Sequence, residues 1–241
     1  MTVVVAAPAK LTLSLHIVGV RADGYHLIDA EMTTLDFGDT LTIDPNGSGL
    51  TCAGPYASGV PLDRSNLVAK ALAMVGADVA VHIDKRIPHG GGLGGGSADA
   101  AAILRWAGSA DLARAASLGA DVPFCVAGGR ARVRGIGEIV DPLPLLEREL
   151  TLIIPPLSCS TPAVYGAWDA LGGPRHATND LTSAALLVEP RLHEWQARIR
   201  AAAGCEPVLA GSGATWFVDG HHPGLADALP EADIVLTRTA G

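Results

Sequence analysis

The sequence predicts an α+β protein built as two lobes, and three observations carry that reading. Strand-like apolar segments crowd the first half of the 241 residues. Segments with apolar residues at helical spacing, and a few short strands, fill the second half. Between them Pro142 and Pro144 break the chain. The expected lobes are residues 1–144 and 145–241, joined near 141–148. Composition fits a buried core, with 49% apolar and 17% charged residues. Aromatics supply only 4%, so Ala, Val, Leu and Ile must build that core.

The elements follow in order. Val3–Ala7 is apolar and β-branched, too short for a signal peptide's apolar region and without basic residues ahead of it, so it reads as a strand. Lys10–Val18 alternates with period two, a second strand, and Arg21–Gly24 turns the chain. Glu31–Leu35 and Thr40–Ile43 read as two strands joined by Asp36–Asp39, and Asn46–Pro61, rich in Gly, Pro and Ser, as loop or hairpin. Ser65 is placed to cap a helix over Asn66–Val75. Val79–Ile83 is a strand, Ser97–Trp106 and Asp111–Leu118 are helices, and Val122–Ala127 opens a strand that Gly128–Gly129 interrupts. Beyond the prolines, Leu150–Ile154 is a strand. Thr161–Leu171, the region around Ser183–Leu187, and His193–Ala203 are helices. Pro207–Leu209, Thr215–Val218 and Ile234–Thr237 are short strands, and Gly224–Leu229 is a short helix.

Charge and composition exclude several classes. A net charge of −8 speaks against a nucleic-acid partner or an anionic membrane surface, both of which attract clustered Lys and Arg. A single nucleotide remains open, because a nest of backbone N–H groups holds phosphates in an acidic protein. No stretch approaches membrane-spanning length without charge or proline. Cys52, Cys125, Cys159 and Cys205 are scattered with no CxxC pair, which suggests buried thiols in a reducing cytoplasm rather than a zinc site or disulfides. The seven histidines other than His26 show no metal-ligand spacing, and no metal-ligating residues are assigned.

The informative segment is Pro88–Ala98, PHGGGLGGGSA, where Gly90–Gly96 holds six glycines in seven positions ahead of an alanine-rich helix. Glycine lets a backbone enter positive φ and approach a ligand closely, and the helix N-terminus adds partial positive charge. Ser97 stands where it caps that helix or meets a phosphate or its metal. A flexible linker is the plain alternative, but a sharply defined helix follows at once. Gly90, Gly92 and Gly95 satisfy GxGxxG. Even so, Lys85–His89 separates the strand from the first glycine, and no acidic residue follows a second strand about 20 residues on, as a dinucleotide fold requires. No Lys precedes Ser97, so the Walker A pattern fails as well.

Taken whole, PHGGGLGGGSADAA resembles the ATP-binding motif of the GHMP kinase superfamily. Ala7–Ile43 with its RADGYH, RSNLVAKAL (Arg64–Leu72), LGADVPF (Leu118–Phe124), STPAVYGAWD (Ser160–Asp169), NDL (Asn179–Leu181) and LAGSGAT (Leu209–Thr215) are similar, in order and over nearly the whole chain, to the 4-diphosphocytidyl-2-C-methyl-D-erythritol kinase family. The resemblance implies a GHMP kinase fold, with an N-terminal lobe like ribosomal protein S5 domain 2 and a ferredoxin-like C-terminal lobe. It implies ATP-dependent phosphorylation of the 2-hydroxyl of 4-diphosphocytidyl-2-C-methyl-D-erythritol, with Mg²⁺ carried largely by ATP itself, in non-mevalonate isoprenoid synthesis.

It also implies roles for single residues. Lys10 and Asp121 fall on the catalytic lysine and aspartate, the first holding the carboxylate ionised and the second orienting the acceptor hydroxyl and taking its proton. The rival reading of Asp121 is a helix cap. Pro88, His89, Gly90, Gly91, Gly92, Leu93, Gly94, Gly95, Gly96, Ser97 and Ala98 fall on the ATP loop. Asn66 falls near the adenine, with a first-turn structural role as its rival. Tyr25 and His26 fall on the positions that hold the cytosine by stacking and hydrogen bonding. Ser212 and Gly213 belong to a second glycine turn lining the cleft, and Asp180 reads as a cap. Thr12 stands near the substrate where the family usually has Asn, and Ala98-Asp99 replaces its usual Ser-Asn or Ser-Ser, so that Asp99 is a candidate for the metal. The segment Arg105–Ser117 is trimmed. Arg130, Arg132 and Arg134 share one strand face, either protecting a sheet edge or reaching substrate phosphates. A GHMP kinase of another small alcohol and a silent nucleotide-binding paralogue both stay open at this level.

Overall fold

A computed structural model describes residues 1–241. Two long strands organise it. β1 (Val3–Val20) and β2 (His26–Asp44) form an antiparallel ribbon that turns at Arg21–Tyr25, where Arg21 N donates to Tyr25 O and Gly24 N to Arg21 O. The two strands expected over residues 31–43 are therefore one. The Asp36–Asp39 linkage is not a turn, because β1 keeps pairing across it, Ala6 with Thr40 and Pro8 with Gly38. A register shift between Pro8 and Lys10 marks where Pro8, lacking an N–H, cannot sustain the ladder.

β3 (Gly49–Ala53) lies inside the segment expected as loop and pairs parallel with β4 (Ala80–Asp84). Between them α1 (Leu67–Val75) begins at Asn66, not Ser65. Asn66 Oδ1 accepts from Val68 N at 2.8 Å, and its Nδ2 donates to Pro61 O. α2 (Gly95–Trp106) starts two residues before the expected position, so Ser97 lies within the first turn and does not cap. Ala98 and Ala100–Leu104 are all buried, as a helix wedged between α1, α4 and β1 requires. α3 (Leu112–Ala116) is capped by Asp111.

Val122–Ala127 is not a strand but a helix, α4, with Pro123 in its first turn. There a missing N–H costs nothing, and that consideration outweighs the β-propensity of the string. β5 (Arg130–Gly135) follows, then β6 (Ile139–Leu143), which the prolines concealed. β5 pairs with β2 on one side and β6 on the other, so it is no sheet edge. Its arginines share a face as expected, but they meet carboxylates rather than the cleft: Arg130 with Glu31, Arg132 with Asp29, and Arg134 with Asp141.

The second half holds β7 (Glu149–Ile154), α5 (Thr161–Ala170), α6 (Thr182–Val188), α7 (Arg191–Ala203), β8 (Val208–Leu209), β9 (Trp216–Asp219), α8 (Leu225–Ala228) and β10 (Asp233–Ala240). β10 pairs along β7, and its end, Thr239 and Ala240, pairs with Leu35 and Thr34 of β2. One edge of β2 thus serves three partners in turn, β5, β10 and β4, which links the two halves into one ten-stranded sheet. All four cysteines are free thiols, and no helix is long and apolar enough to cross a membrane.

Candidate active site

The glycine segment arches from the end of β4 to the start of α2. Gly90 O accepts from Cys159 N and Ala214 N, and Gly91 O from Thr215 N, so the arch is tied to the second glycine turn. Two positions require glycine. Gly92 has φ +76°, and a Cβ there would lie 1.9 Å from Ala210 O. Gly94 has φ +68°, and its Cβ would lie 2.8 Å from Lys10 Cγ. Gly94 is also the N-cap of α2 and offers no side-chain cap, so the N–H groups of Gly95, Gly96 and Ser97 keep no partner within the helix. A bare helix end with its dipole facing a cleft is an anion site.

Lys10 reaches this cleft from β1. Its N–H donates to Leu93 O at 3.1 Å, its stem lies in the space that Gly94 leaves, and its ammonium donates to Thr12 Oγ1 at 3.1 Å. Asp121 arrives from the start of α4. Its carboxylate makes no capping bond and points its Oδ2 to within 3.3 Å of Lys10 Nζ. Lys10 is buried and Asp121 one-third exposed, so the pair is sheltered yet open to a ligand.

Lys10, Thr12, Pro88, His89, Gly90–Gly92, Gly94–Gly96, Ser97, Asp121 and Ser212 line one cavity of about 340 Å³. Ser212 Oγ is hydrogen-bonded to Thr161 Oγ1 at 2.8 Å. Leu93 and Ala98 are fully buried and do not line the cavity; nor does Asn66, whose amide is committed to the backbone at both ends, although Leu67 beside it does. Tyr25 and His26 line an adjoining cavity of about 490 Å³ that shares Ile28, Ala120, Ile136, Thr161 and Tyr165 with the first. Tyr25 is exposed, with the Arg21 guanidinium 5.6 Å over its ring, whereas the His26 ring is largely enclosed.

Asp99 does not face the cleft. Its Oδ2 accepts from Lys85 Nζ at 2.6 Å, and Lys85 also bonds Asp39, all three buried beneath the loop. Asp39 Oδ1 accepts from the N–H groups of Arg86 and Ile87, which fixes the entry of the chain into the loop. Burial opposes the Lys85 charge, but the two carboxylates outweigh it and hold the ammonium above its ordinary value. The same burial pushes Asp99 up to about 7 despite the pull of Lys85, since one cation faces two carboxylates and Asp99 Oδ1 has no partner. Cys125, next to Asp121 in space, is pushed up to about 12 by burial, which leaves it an inert thiol. Asp180 is not a cap either. It is completely buried and accepts from Ile17 N, His176 N and the ring of His16, bolting the second half onto β1. Neighbouring Asn179 donates to Leu209 O and Gly211 O and so holds the second glycine turn.

With this geometry the chain resembles known kinases in detail. Residues 66–129 match the family described as GHMP kinases N terminal domain. The 4-diphosphocytidyl-2-C-methyl-D-erythritol kinase of Paracoccus denitrificans (strain Pd 1222) is 40% identical over 256 residues, covering 98% of this chain and 91% of that protein. The chain belongs to the 4-diphosphocytidyl-2-C-methyl-D-erythritol kinase family.

The kinase of that name from Paramagnetospirillum magneticum (strain ATCC 700264 / AMB-1) is 41% identical over 249 residues, covering 88% of this chain and 87% of its own length. A crystal structure of 4-(cytidine 5'-diphospho)-2C-methyl-D-erythritol kinase superposes with a TM-score of 0.78 at 32% identity, covering 99% of this chain and all of that one. The expected GHMP kinase fold is therefore the fold of this chain. The ion group of Lys85 and Asp39 beneath the loop is not legible in the sequence, because a lone lysine after a strand looks solvated. No role is assigned from the sequence to Tyr165 and Asp169, which lie at helical spacing within the STPAVYGAWD string and line the cavity around His26.

Proposed function

We propose that this chain transfers the terminal phosphoryl group of ATP to the 2-hydroxyl of 4-diphosphocytidyl-2-C-methyl-D-erythritol, in cytoplasmic non-mevalonate isoprenoid synthesis. One observation carries the reading: the Lys10–Asp121 pair, at 3.3 Å, shares a cavity with the uncapped N-terminus of α2. Asp121 accepts the hydroxyl proton as that oxygen bonds to phosphorus, and the bond from phosphorus to the leaving oxygen of ADP breaks. Lys10, whose ammonium lies 3.3 Å from the Asp121 carboxylate, offsets charge on the transferring group. The N–H groups of Gly95, Gly96 and Ser97 hold the phosphates in place. Tyr25 and His26 bind the cytosine through a ring face and a ring edge.

No group of three His, Cys, Asp or Glu side chains is arranged to cage a cation. The residues suit Mg²⁺ that enters with the nucleotide, with the Ser97 hydroxyl, which lines the cavity and bonds no protein group, as the ligand the chain offers. Bound in this way, the ion neutralises phosphate charge. We place the lobe division at residues 144 and 145, between β6 and β7.

The test is purified protein with ATP, Mg²⁺ and the cytidine substrate, assayed for ADP and for phosphorylated product. ADP and product in equal amounts are expected. ATP binding without ADP points to a silent paralogue, and ADP only with other small alcohols points to a different GHMP kinase.

A further inference from the structure

His26 is held more elaborately than a simple contact residue needs. Its Nε2 lies 2.8 Å from Asp169 Oδ1, its ring packs on Tyr165 at 4.8 Å between centroids, and it meets Trp168 in a T-shaped contact at 5.5 Å. Its side chain is only 10% exposed. Tyr165, Trp168 and Asp169 all come from α5, while His26 begins β2.

Asp169 is poorly placed for its own helix. It lies in the last turn of α5, where backbone carbonyls accumulate negative charge and an acidic side chain is unfavourable. Its favourable partner is the imidazole. A carboxylate only accepts, so Nε2 must carry the hydrogen of that bond. With the ring neutral, Nδ1 then holds a lone pair, and the one side-chain hydrogen bond of His26 is the Nε2 bond to Asp169. The other carboxylate lining this cavity, Asp23, is occupied by Arg21.

We propose that Asp169 is a positioning residue for nucleobase selection: it fixes His26 in the Nε2–H form, leaving Nδ1 as an acceptor for the exocyclic amino group of cytosine. Uracil has a carbonyl oxygen at that position and would face the lone pair of Nδ1, so that two acceptors meet with no hydrogen between them. The inference rests on the reading of His26 as a cytosine contact and extends it to a residue that touches the base only through the histidine.

The experiment uses the whole enzyme and Asp169→Ala, Asp169→Asn and His26→Ala, with the cytidine substrate and its uridine-linked analogue. Asp169→Ala is expected to raise KM for the cytidine substrate about tenfold, one hydrogen bond's worth of binding, with kcat little changed and the preference for cytosine reduced. Asp169→Asn keeps an acceptor oxygen and is expected to restore both. Nitrogen-15 NMR of the substrate-free enzyme is expected to show the Nε2–H tautomer of His26 in the wild type and a mixture in Asp169→Ala. Unchanged KM and base preference in Asp169→Ala, beside an impaired His26→Ala, would overturn the role of Asp169 alone. A His26→Ala enzyme with unaltered KM would overturn the cytosine reading and the inference with it. An Nδ1–H tautomer in the wild type would overturn the inference whatever the kinetics.

Discussion

Lys10 Nζ stands 3.3 Å from Asp121 Oδ2, and the space that Gly94 leaves open holds the lysine stem in that position. The glycine arch and the Lys10–Asp121 pair are therefore one construction: Leu93 O anchors the Lys10 backbone while Gly94 makes room for its side chain.

Lys10→Met is expected to lower kcat by about 10²-fold or more, since it removes the charged donor proposed to offset charge on the transferring group. Lys10→Arg is not expected to rescue it, because the wider guanidinium does not fit the channel beside Gly94 and Thr12. Steady-state kinetics on folded protein checks both.

Gly92→Ala is expected to destabilise the loop by about 1–3 kcal/mol from the positive φ alone, and further because its Cβ would meet Ala210 O at 1.9 Å. Calorimetry on the ATP complex and on the free protein is expected to show weakened nucleotide binding as well as a lower Tm.

The buried Asp39–Lys85–Asp99 group predicts an unusual pH response. Burial raises the folded-state value of Asp99 from the ordinary carboxylate range to about 7, so the folded protein binds its proton more tightly than the unfolded chain does. The stability contributed by this group is complete below the ordinary range and is lost as pH rises through about 7. Denaturant titrations from about pH 4 to about pH 8 are expected to show this loss in the wild type and its disappearance in Asp99→Asn. Lys85→Met, which leaves two buried carboxylates without a cation, is expected to cost about 3–5 kcal/mol.

Asp180 has the opposite sign. Burial alone would raise its value, but hydrogen bonds from His176 N, Ile17 N and the His16 ring outweigh burial and lower it. Its contribution is present above the ordinary carboxylate range and is lost as pH falls through the depressed value. Asp180→Ala is expected to cost about 1–3 kcal/mol by orphaning buried N–H groups, measured by denaturant unfolding at neutral pH.

Which parts of this were legible in the sequence follows from how local each signal is. The glycine string, the alternation in β1 and the helical spacing of α1, α2 and α7 are set by near neighbours and read directly. The continuity of β2 through Asp36–Asp39 is not, because it depends on β1 pairing across a string that looks like a turn, with β10 and β4 pairing on either side of it. Val122–Ala127 misled because its apolar residues suit a buried strand as well as a short helix with Pro123 in its first turn. Lys10 and Asp121 are singled out by motif resemblance, and the fold brings their charged groups within 3.3 Å of each other. Lys85, Asp39 and Asp169 are not, because each acts through a partner remote in sequence. The arginine face of β5 was read with the right geometry and the wrong partners, since Asp29, Glu31 and Asp141 lie on neighbouring strands.

The most direct measurement is turnover of Asp121→Asn with ATP, Mg²⁺ and the cytidine substrate, beside a titration of its ATP affinity. The substitution keeps the shape and removes the proton acceptor. Turnover is predicted to fall by about 10²- to 10⁴-fold with ATP affinity unchanged. Turnover near that of the wild type would contradict the assignment of Asp121 as the base.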